Sequence, residues 1–473
     1  MLVREAWYVA LSMARQYGSR AAVDRLRLRQ LDRMLAFCRE RVPYYRDDPR
    51  YAVGPLRDLA DLAALPVLTK QDLRARAPVD FLADGTDPDR CVEFHTSGTT
   101  GERLRVLHDR DSFDYHTAAC VRRFLATGGY LPTYRLSHLR HFTPPRRAFE
   151  RLGLFRRHVI LTHRPMPEIK AALLGNRPQV LIGYPVHLRE LLRSLTPEEL
   201  ARLRRSLRLL FSESELLVPG QRRALVEGFG VPVFDEYSAY EVLNVYFECH
   251  RGRCHLAEDR VHVEVVDDAG DPLPDGTEGR VVVTAFMERA MPLVRYALGD
   301  AGLVEPGRCP CGRRFRTMRL TRGRVNDCVV LPDGSPIYSD TFLELAESHP
   351  GVAACFVRQD RDGLVRIHVV PANGDPSADR SIGAPPWGSP DPSDRSTGAP
   401  PWGSPDPSDR STGAPPWGSP DPSDRAVLAS VRAALFELAG SPFPLEVVAA
   451  DRVPITPGGK GRFVSSQYEP ARA

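Results

Sequence analysis

Along residues 20 to 42, apolar side chains return every three or four positions, with Leu28, Leu31, Leu35 and Cys38 on one stripe before Pro43. That period predicts a helix, and residues 1 to 50 read as helical throughout. From about 91 to 320 the pattern changes to short apolar runs, VLIGYP (180 to 185), LRLLFS (207 to 212) and VPVFDEY (231 to 237), alternating with helical stretches such as HLRELLRSLTPEELARLRR. Strands alternating with helices predict an α/β domain with a largely parallel sheet. The stretch 261 to 304 is different: VHVEVVDD, then a Gly/Pro/Asp turn, then RVVVTAF, a hairpin signature that predicts a β-rich subdomain. After GRVND (323 to 327) the order strand, helix, strand, strand, helix suits a small α+β domain, and we place the boundary at 324/325.

That C-terminal domain, 325–473, contains a Pro/Gly/Trp-rich insertion spanning 375–425. Within it SIGAPPWGSPDPSDR and two copies of STGAPPWGSPDPSDR form a tandem 15-residue repeat. So little apolar content cannot offset its ordering entropy, so the insertion is expected to be extended and disordered, between a strand and a helix.

Composition narrows the class without selecting a partner. With 64 basic and 60 acidic residues the net charge is only +4, and no basic stripe with interleaved aromatics suggests nucleic-acid binding. Arg4, Glu5 and Arg15 interrupt the N-terminal apolar residues, and no run approaches the length of a membrane span. The expectation is a cytoplasmic protein without a membrane or nucleic-acid partner.

The chemistry concentrates in a few segments. CVEFH leads into TSGTTG, where Thr96, Ser97, Thr99 and Thr100 interleave with Gly98 and Gly101. Such a loop can wrap phosphate oxygens with backbone amides and hydroxyls, although no Lys follows Gly101 as in the GxxxxGK[ST] phosphate loop. Downstream, DEYSAYE offers Glu236, Tyr237 and Glu241, PLVRYALGD ends on Asp300, RLTRGRVND carries Arg324, and ITPGGKGRF sets Lys460 in a Gly-rich loop. A polar turn, a helix start, a surface cation or a tail lysine would explain any one of these.

In this order, and together with RVPYYRD, LPVLTKQDLR, IGYPVHL and AMPLVRYALGD, they resemble the adenylate-forming superfamily of acyl-CoA synthetases, adenylation domains and luciferases, most of all its phenylacetate-CoA ligase and coenzyme F390 synthetase-like branch. The resemblance implies a large N-terminal α/β domain and a small mobile C-terminal lid. It implies activation of a carboxylic acid, aromatic in this branch, by ATP and Mg²⁺ to an acyl-adenylate, then transfer to CoA. It also implies that Thr96 to Gly101 clamp phosphates, that Glu236 and Tyr237 lie at the nucleotide, with Tyr237 near adenine, and that Glu241 supports Mg²⁺. Asp300 would bind the ribose, Arg324 would assist at the nucleotide, and Lys460 would bridge carboxylate and α-phosphate. Tyr184, Ser214 and Ala239 would line the acid pocket. Departures are Glu102 and Arg103 after the loop, Ser238 where glycine is usual, and Asn326 at the hinge. Transfer to a carrier-protein phosphopantetheine or an amine, or a silent nucleotide-binding scaffold, are the alternatives.

Two cysteine groups stand apart from this pattern. ECHRGRCH supplies Cys249, Cys254 and His255, and RCPCGRR supplies Cys309 and Cys311. Two thiolate-rich clusters bracketing a hairpin suit a closed, structural Zn²⁺ site. Cys249, His255, Cys309 and Cys311 are the preferred set, with Cys254 as the substitute for His255.

Overall fold

The computed structural model describes residues 2–95, 104–140, 143, 148–324, 328–331, 336–338, 352–371, 427–433, 444–450 and 464–466. The TSGTTG loop, Lys460 and the repeats lie outside them.

The predicted N-terminal helix is three: α1 (Leu2–Arg15), α2 (Arg20–Arg41) and α3 (Pro43–Asp47), followed by α4 (Lys70–Arg74). Ser19 caps α2 by accepting from the Ala22 amide, and Pro43 opens α3 instead of merely ending its neighbour, since a proline costs nothing at a first helical position. A two-stranded hairpin, β1 (Val92–His95) and β2 (Arg105–His108), then flanks the TSGTTG segment and leads into α5 (Arg110–Ala126).

Next come β3 (Leu136–Arg140), α6 (Ala148–Arg151), β4 (Arg157–Leu161), α7 (Met166–Asn176), β5 (Val180–Gly183), α8 (Pro185–Ser194), α9 (Pro197–Ser206), β6 (Leu209–Glu213), α10 (Pro219–Phe229) and β7 (Val233–Ala239). The chain continues as β8 (Leu243–Glu248), β9 (Cys254–Leu256), β10 (Val261–Val266), β11 (Gly279–Ala285), β12 (Tyr296–Glu305) and β13 (Thr317–Arg324). All of β3 to β13 join one 11-stranded sheet, ordered β10-β11-β12-β13-β9-β8-β7-β6-β5-β3-β4. Strands β3 to β7 are parallel to one another, and pairing turns antiparallel from β7 to β8 onward. The expected β10–β11 hairpin is present, with Val261 opposite Ala285, but the β-rich stretch extends the parallel sheet and does not form a separate one.

Alternation along the strands sorts the two faces. Leu139, Leu181 and Leu210 pack with Leu173, Leu188, Leu203, Leu225 and Phe229 of α7 to α10. Leu136, Val180, Ile182, Phe211 and Phe234 face the other way, against Phe124 of α5. The antiparallel half is tied down by buried ion pairs: Arg122–Asp259 at 2.9 Å, Arg260–Glu288 at 2.5 Å and Arg295–Glu264 at 3.0 Å.

In the C-terminal part, β14 (Cys328–Val330) pairs with β15 (Pro336–Tyr338), and β16 (Val352–Gln359), β17 (Val365–Pro371), β18 (Leu445–Ala449) and β19 (Val464–Ser466) form a four-stranded sheet ordered β18-β17-β16-β19. Residues 427–433 are helical. The two segments that border the repeats are therefore a strand and a helix. Among the described residues no helix is long and apolar enough to cross a membrane.

Candidate active site

Parallel strands leave a crevice beyond their carboxyl ends. At that edge the structure collects Arg140, the last residue of β3, Tyr184 directly after β5, Glu213 and Ser214 at the end of β6, and Ala239 and Tyr240 at the end of β7. Ser214 holds φ +70°, a left-handed turn that carries the chain off the sheet immediately after Glu213.

Glu213, at the end of β6, is where the most side chains of this edge meet. Its Oε1 accepts from His138 Nε2 at 2.7 Å and lies 3.3 Å from Arg140 Nη2, and its Oε2 lies 3.3 Å from Arg123 Nη1 of α5. Glu236 is its register partner on β7, which would set two carboxylates side by side. Arg123 pairs with both, and Asn244 Nδ2 donates to Glu236 Oε1 at 3.1 Å. Burial alone would raise the Glu213 carboxyl, but His138, Arg140 and Arg123 together hold it well below the usual range. Burial pushes His138 the same way, down to about 4, with Glu213 opposing.

That imidazole makes stability depend on pH. In the unfolded chain it protonates near its usual value of about 6.5, whereas in the fold it stays neutral down to about 4. Between those values the unfolded state binds more protons, so stability falls as pH drops from about 6.5 to about 4, by up to about 3 kcal/mol. H138Q keeps a donor for Glu213 and lacks the titration. The gap in unfolding free energy between wild type and H138Q is expected to change by that amount across the window, and a pH-independent gap would exclude the effect.

On the adjacent residue the geometry reverses face. Tyr237 leaves β7 opposite to Glu236, and its hydroxyl bonds Asp300 Oδ2. Asp300 sits inside β12; Gly299 at φ +85° and a register shift against β13 interrupt the ladder there. Its register partner is Arg324, so those two backbones are neighbours. Glu241 is half-buried and accepts from the Tyr296 hydroxyl at 3.3 Å.

The β1–β2 hairpin reaches the same place. Phe94 stacks on Tyr240 with ring centroids 5.1 Å apart and planes 16° from parallel, and the Tyr240 carbonyl lies 2.7 Å from His108 Nε2. The TSGTTG segment therefore springs from a hairpin braced against the crevice. Its own placement, like that of Lys460, is outside the described residues.

Of the five candidate metal ligands, four converge. The donor atoms of Cys249, His255, Cys309 and Cys311 all lie within 4.8 Å of one another. Cys249 Sγ is 3.7 Å from Cys309 Sγ, and Cys311 Sγ is 3.2 Å from His255 Nε2, while His255 Nδ1 bonds the Phe315 carbonyl at 2.9 Å. Cys254 is excluded from the group, because neighbours on β9 point to opposite faces and His255 takes the inward one. It packs instead near Val245, Tyr246 and Met318.

Sequence reading missed Arg123, His138, Arg140 and Tyr240. The alternation in LSHLR puts His138 and Arg140 on one face of a strand, which is a usable signal; Arg123 has none, since its partners lie far along the chain.

No family model matches the chain. Curated relatives do. The phenylacetate-coenzyme A ligase of Thermus thermophilus is 31% identical over 323 residues, covering 64% of this chain and 70% of the relative. The enzyme of the same name from Aromatoleum evansii is 27% identical over 380 residues, covering 76% and 84%. Among solved structures, 2-hydroxyisobutyryl-CoA ligase bound to R3-HIB-AMP superposes with a TM-score of 0.70 at 18% identity, over 97% of this chain and 91% of that one. At that identity the likeness speaks for the fold.

Proposed function

Because the chain belongs to the phenylacetate-CoA ligase-like branch of the adenylate-forming superfamily, we propose that it is an AMP-forming carboxylate-CoA ligase. The carboxylate of the acid attacks the α-phosphorus of ATP and expels pyrophosphate. The thiol of CoA then adds to the acyl carbonyl, and AMP leaves with the electron pair of the broken C–O bond. The observation that carries this reading is the placement, on consecutive residues of one strand, of a Tyr237–Asp300 pair on one face and of the Glu236 carboxylate, held by Arg123 and Asn244, on the other.

In this reading Asp300 accepts the ribose hydroxyls. Its bond from Tyr237 fixes the carboxylate and sets the phenol beside the base. Glu236 is occupied by Arg123 and Asn244, so it shapes the nucleotide's surroundings through β7 without touching it. Thr96 to Gly101 clamp the β- and γ-phosphates from the hairpin, and Arg324, a backbone neighbour of Asp300, assists at the nucleotide. Glu241, oriented by Tyr296, would hold the Mg²⁺ that offsets phosphate charge. Tyr184, Ser214 and Ala239 line the pocket for the acid, which we take to be aromatic. A boundary near residue 324 separates this machinery from the C-terminal part, which delivers Lys460. The cytoplasm, where ATP and CoA are available, is its place of action.

The cysteine cluster fits a structural zinc ion: three thiols and one imidazole converge, and the Phe315 carbonyl fixes His255 Nδ1 as donor, which turns Nε2 toward the cluster. With four protein ligands the ion would cross-link the β8 and β9 ends to the loop at 309–311 and take no part in the reaction. Purified protein is expected to carry about one zinc per chain. C309S/C311S should carry far less; equal zinc in both proteins would dismiss the assignment.

The ligase reading is tested by acid-dependent exchange of pyrophosphate into ATP over a panel of aryl and fatty acids, followed by thioester formation with free CoA. Exchange with none of the acids would sink it. Exchange without thioester formation would move the acceptor away from CoA.

A further inference from the structure

The turn that closes β7 on β8 carries Glu241, and a neighbouring hairpin fixes that turn from outside. Tyr240 and Glu241 hold its two central positions: the Val242 amide bonds the Ala239 carbonyl at 3.3 Å, and Leu243, at φ +60°, returns the chain to β8. The carbonyl of such a central peptide has no partner within the turn. The two commonest turn types differ by rotation of that peptide, at the cost of a positive φ for the residue after it. Here the carbonyl is occupied. It lies 2.7 Å from Nε2 of His108, and because a carbonyl can only accept, that nitrogen carries the proton. The imidazole is buried, and its Nδ1 has no hydrogen-bond partner among the described residues.

Strand β2, which bears His108, is itself anchored. Asp109, the next residue, caps α5 through the Ser112 amide at 2.9 Å and accepts from the Arg289 amide at 2.7 Å. Phe94, on the paired strand β1, meets the imidazole edge-on with centroids 5.8 Å apart and stacks on the Tyr240 ring at 5.1 Å. Val106 and His108, two positions apart, share one face of β2. Val106 is packed in one buried cluster with Tyr296, whose hydroxyl donates to Glu241. The hairpin that flanks TSGTTG thus bears on Glu241 at both ends, on its backbone through His108 and on its carboxylate through Tyr296.

Resting on the ligase reading, we propose that His108 is a positioning residue for Mg-ATP. Its Nε2–H holds the Tyr240–Glu241 peptide in one orientation, so that the Glu241 carboxylate and the hairpin that carries the phosphate segment keep a fixed separation. Without that bond the peptide can rotate, and the Glu241 side chain turns with it, away from the Tyr296 hydroxyl. The imidazole touches neither nucleotide nor acid in this role.

Calorimetric titration with ATP, without acid and in the presence or absence of Mg²⁺, tests this apart from turnover. H108L is expected to weaken binding of Mg-ATP about tenfold and of metal-free ATP by much less. H108Q, whose amide nitrogen can stand in for Nε2, should bind Mg-ATP within about threefold of wild type. In pyrophosphate exchange the loss in H108L should appear in the KM for Mg-ATP and not in that for the acid. A dissociation constant does not depend on how much of a sample is folded. Where H108L yields no folded protein at all, F94L, which removes the ring that seats Tyr240 and keeps the imidazole, is read in its place. Wild-type affinity for Mg-ATP in the leucine variant, H108Q no better than H108L, or equal weakening with and without the metal would overturn the inference and leave the ligase reading standing. A wild-type enzyme that exchanges pyrophosphate with none of the acids would overturn both.

Discussion

Replacing Lys460 by alanine is expected to cut acid-dependent pyrophosphate exchange by a hundredfold or more, about 3 kcal/mol of transition-state stabilisation. Negative charge accumulates between the incoming carboxylate and the α-phosphate, and one ammonium placed there acts on both partners at once. Gly458, Gly459 and Gly461 flank it in the sequence. The effect should be selective. Supplied with preformed acyl-adenylate and CoA, K460A should make thioester at close to the normal rate, because displacement of AMP develops its charge elsewhere. Exchange by K460A within about threefold of wild type, less than about 0.7 kcal/mol, would remove Lys460 from the chemistry.

The second large effect is on stability. Arg122 and Asp259 are both fully buried, with Nη1 at 2.9 and 3.0 Å from the two carboxylate oxygens. The same guanidinium donates to the Ser12 carbonyl of α1 and lies over the rings of Phe247, at 4.8 Å, and Phe315, at 5.3 Å. Tyr115 donates to Asp259 at 2.9 Å. R122M leaves the carboxylate buried with only that phenol, a loss of about 3 to 5 kcal/mol. R122M/D259N removes both charges and keeps an acceptor for Tyr115, so it should recover at least half of the loss. Urea denaturation of the three proteins decides the matter. A double variant no more stable than R122M would mean that the lost packing on Phe247 and Phe315, not the stranded charge, carries the cost. Those two rings also pack with Cys249 and Cys309, so zinc content should be measured in the same samples.

What the sequence disclosed follows the range of each interaction. Alternating short apolar runs and helical stretches are local, and they foretold the parallel strands and the β10–β11 hairpin. Cys309 and Cys311 are two residues apart, so their partnership could be suspected from spacing alone. The choice between Cys254 and His255 was also legible in principle, since a strand through both sends them to opposite faces. Glu213 was not. Only its neighbour Ser214 was singled out, and the contacts of Glu213 depend on His138, 75 residues earlier, and Arg123, 90 residues earlier. Arg122 and Asp259 are 137 residues apart, and nothing local to either marks a buried pair. Asp300 was recognised from its motif, but its position within β12 depends on a ladder irregularity that only the paired strand reveals.

Strand β7 turns Glu236 toward Arg123 and Tyr237 toward Asp300, and it is the last parallel strand before the sheet reverses. Adding or deleting a single residue there would exchange the two faces, handing the phenol to Arg123 and the carboxylate to Asp300. Natural diversification and laboratory redesign of this enzyme thus have freedom of side chain along the crevice but none of length in this strand.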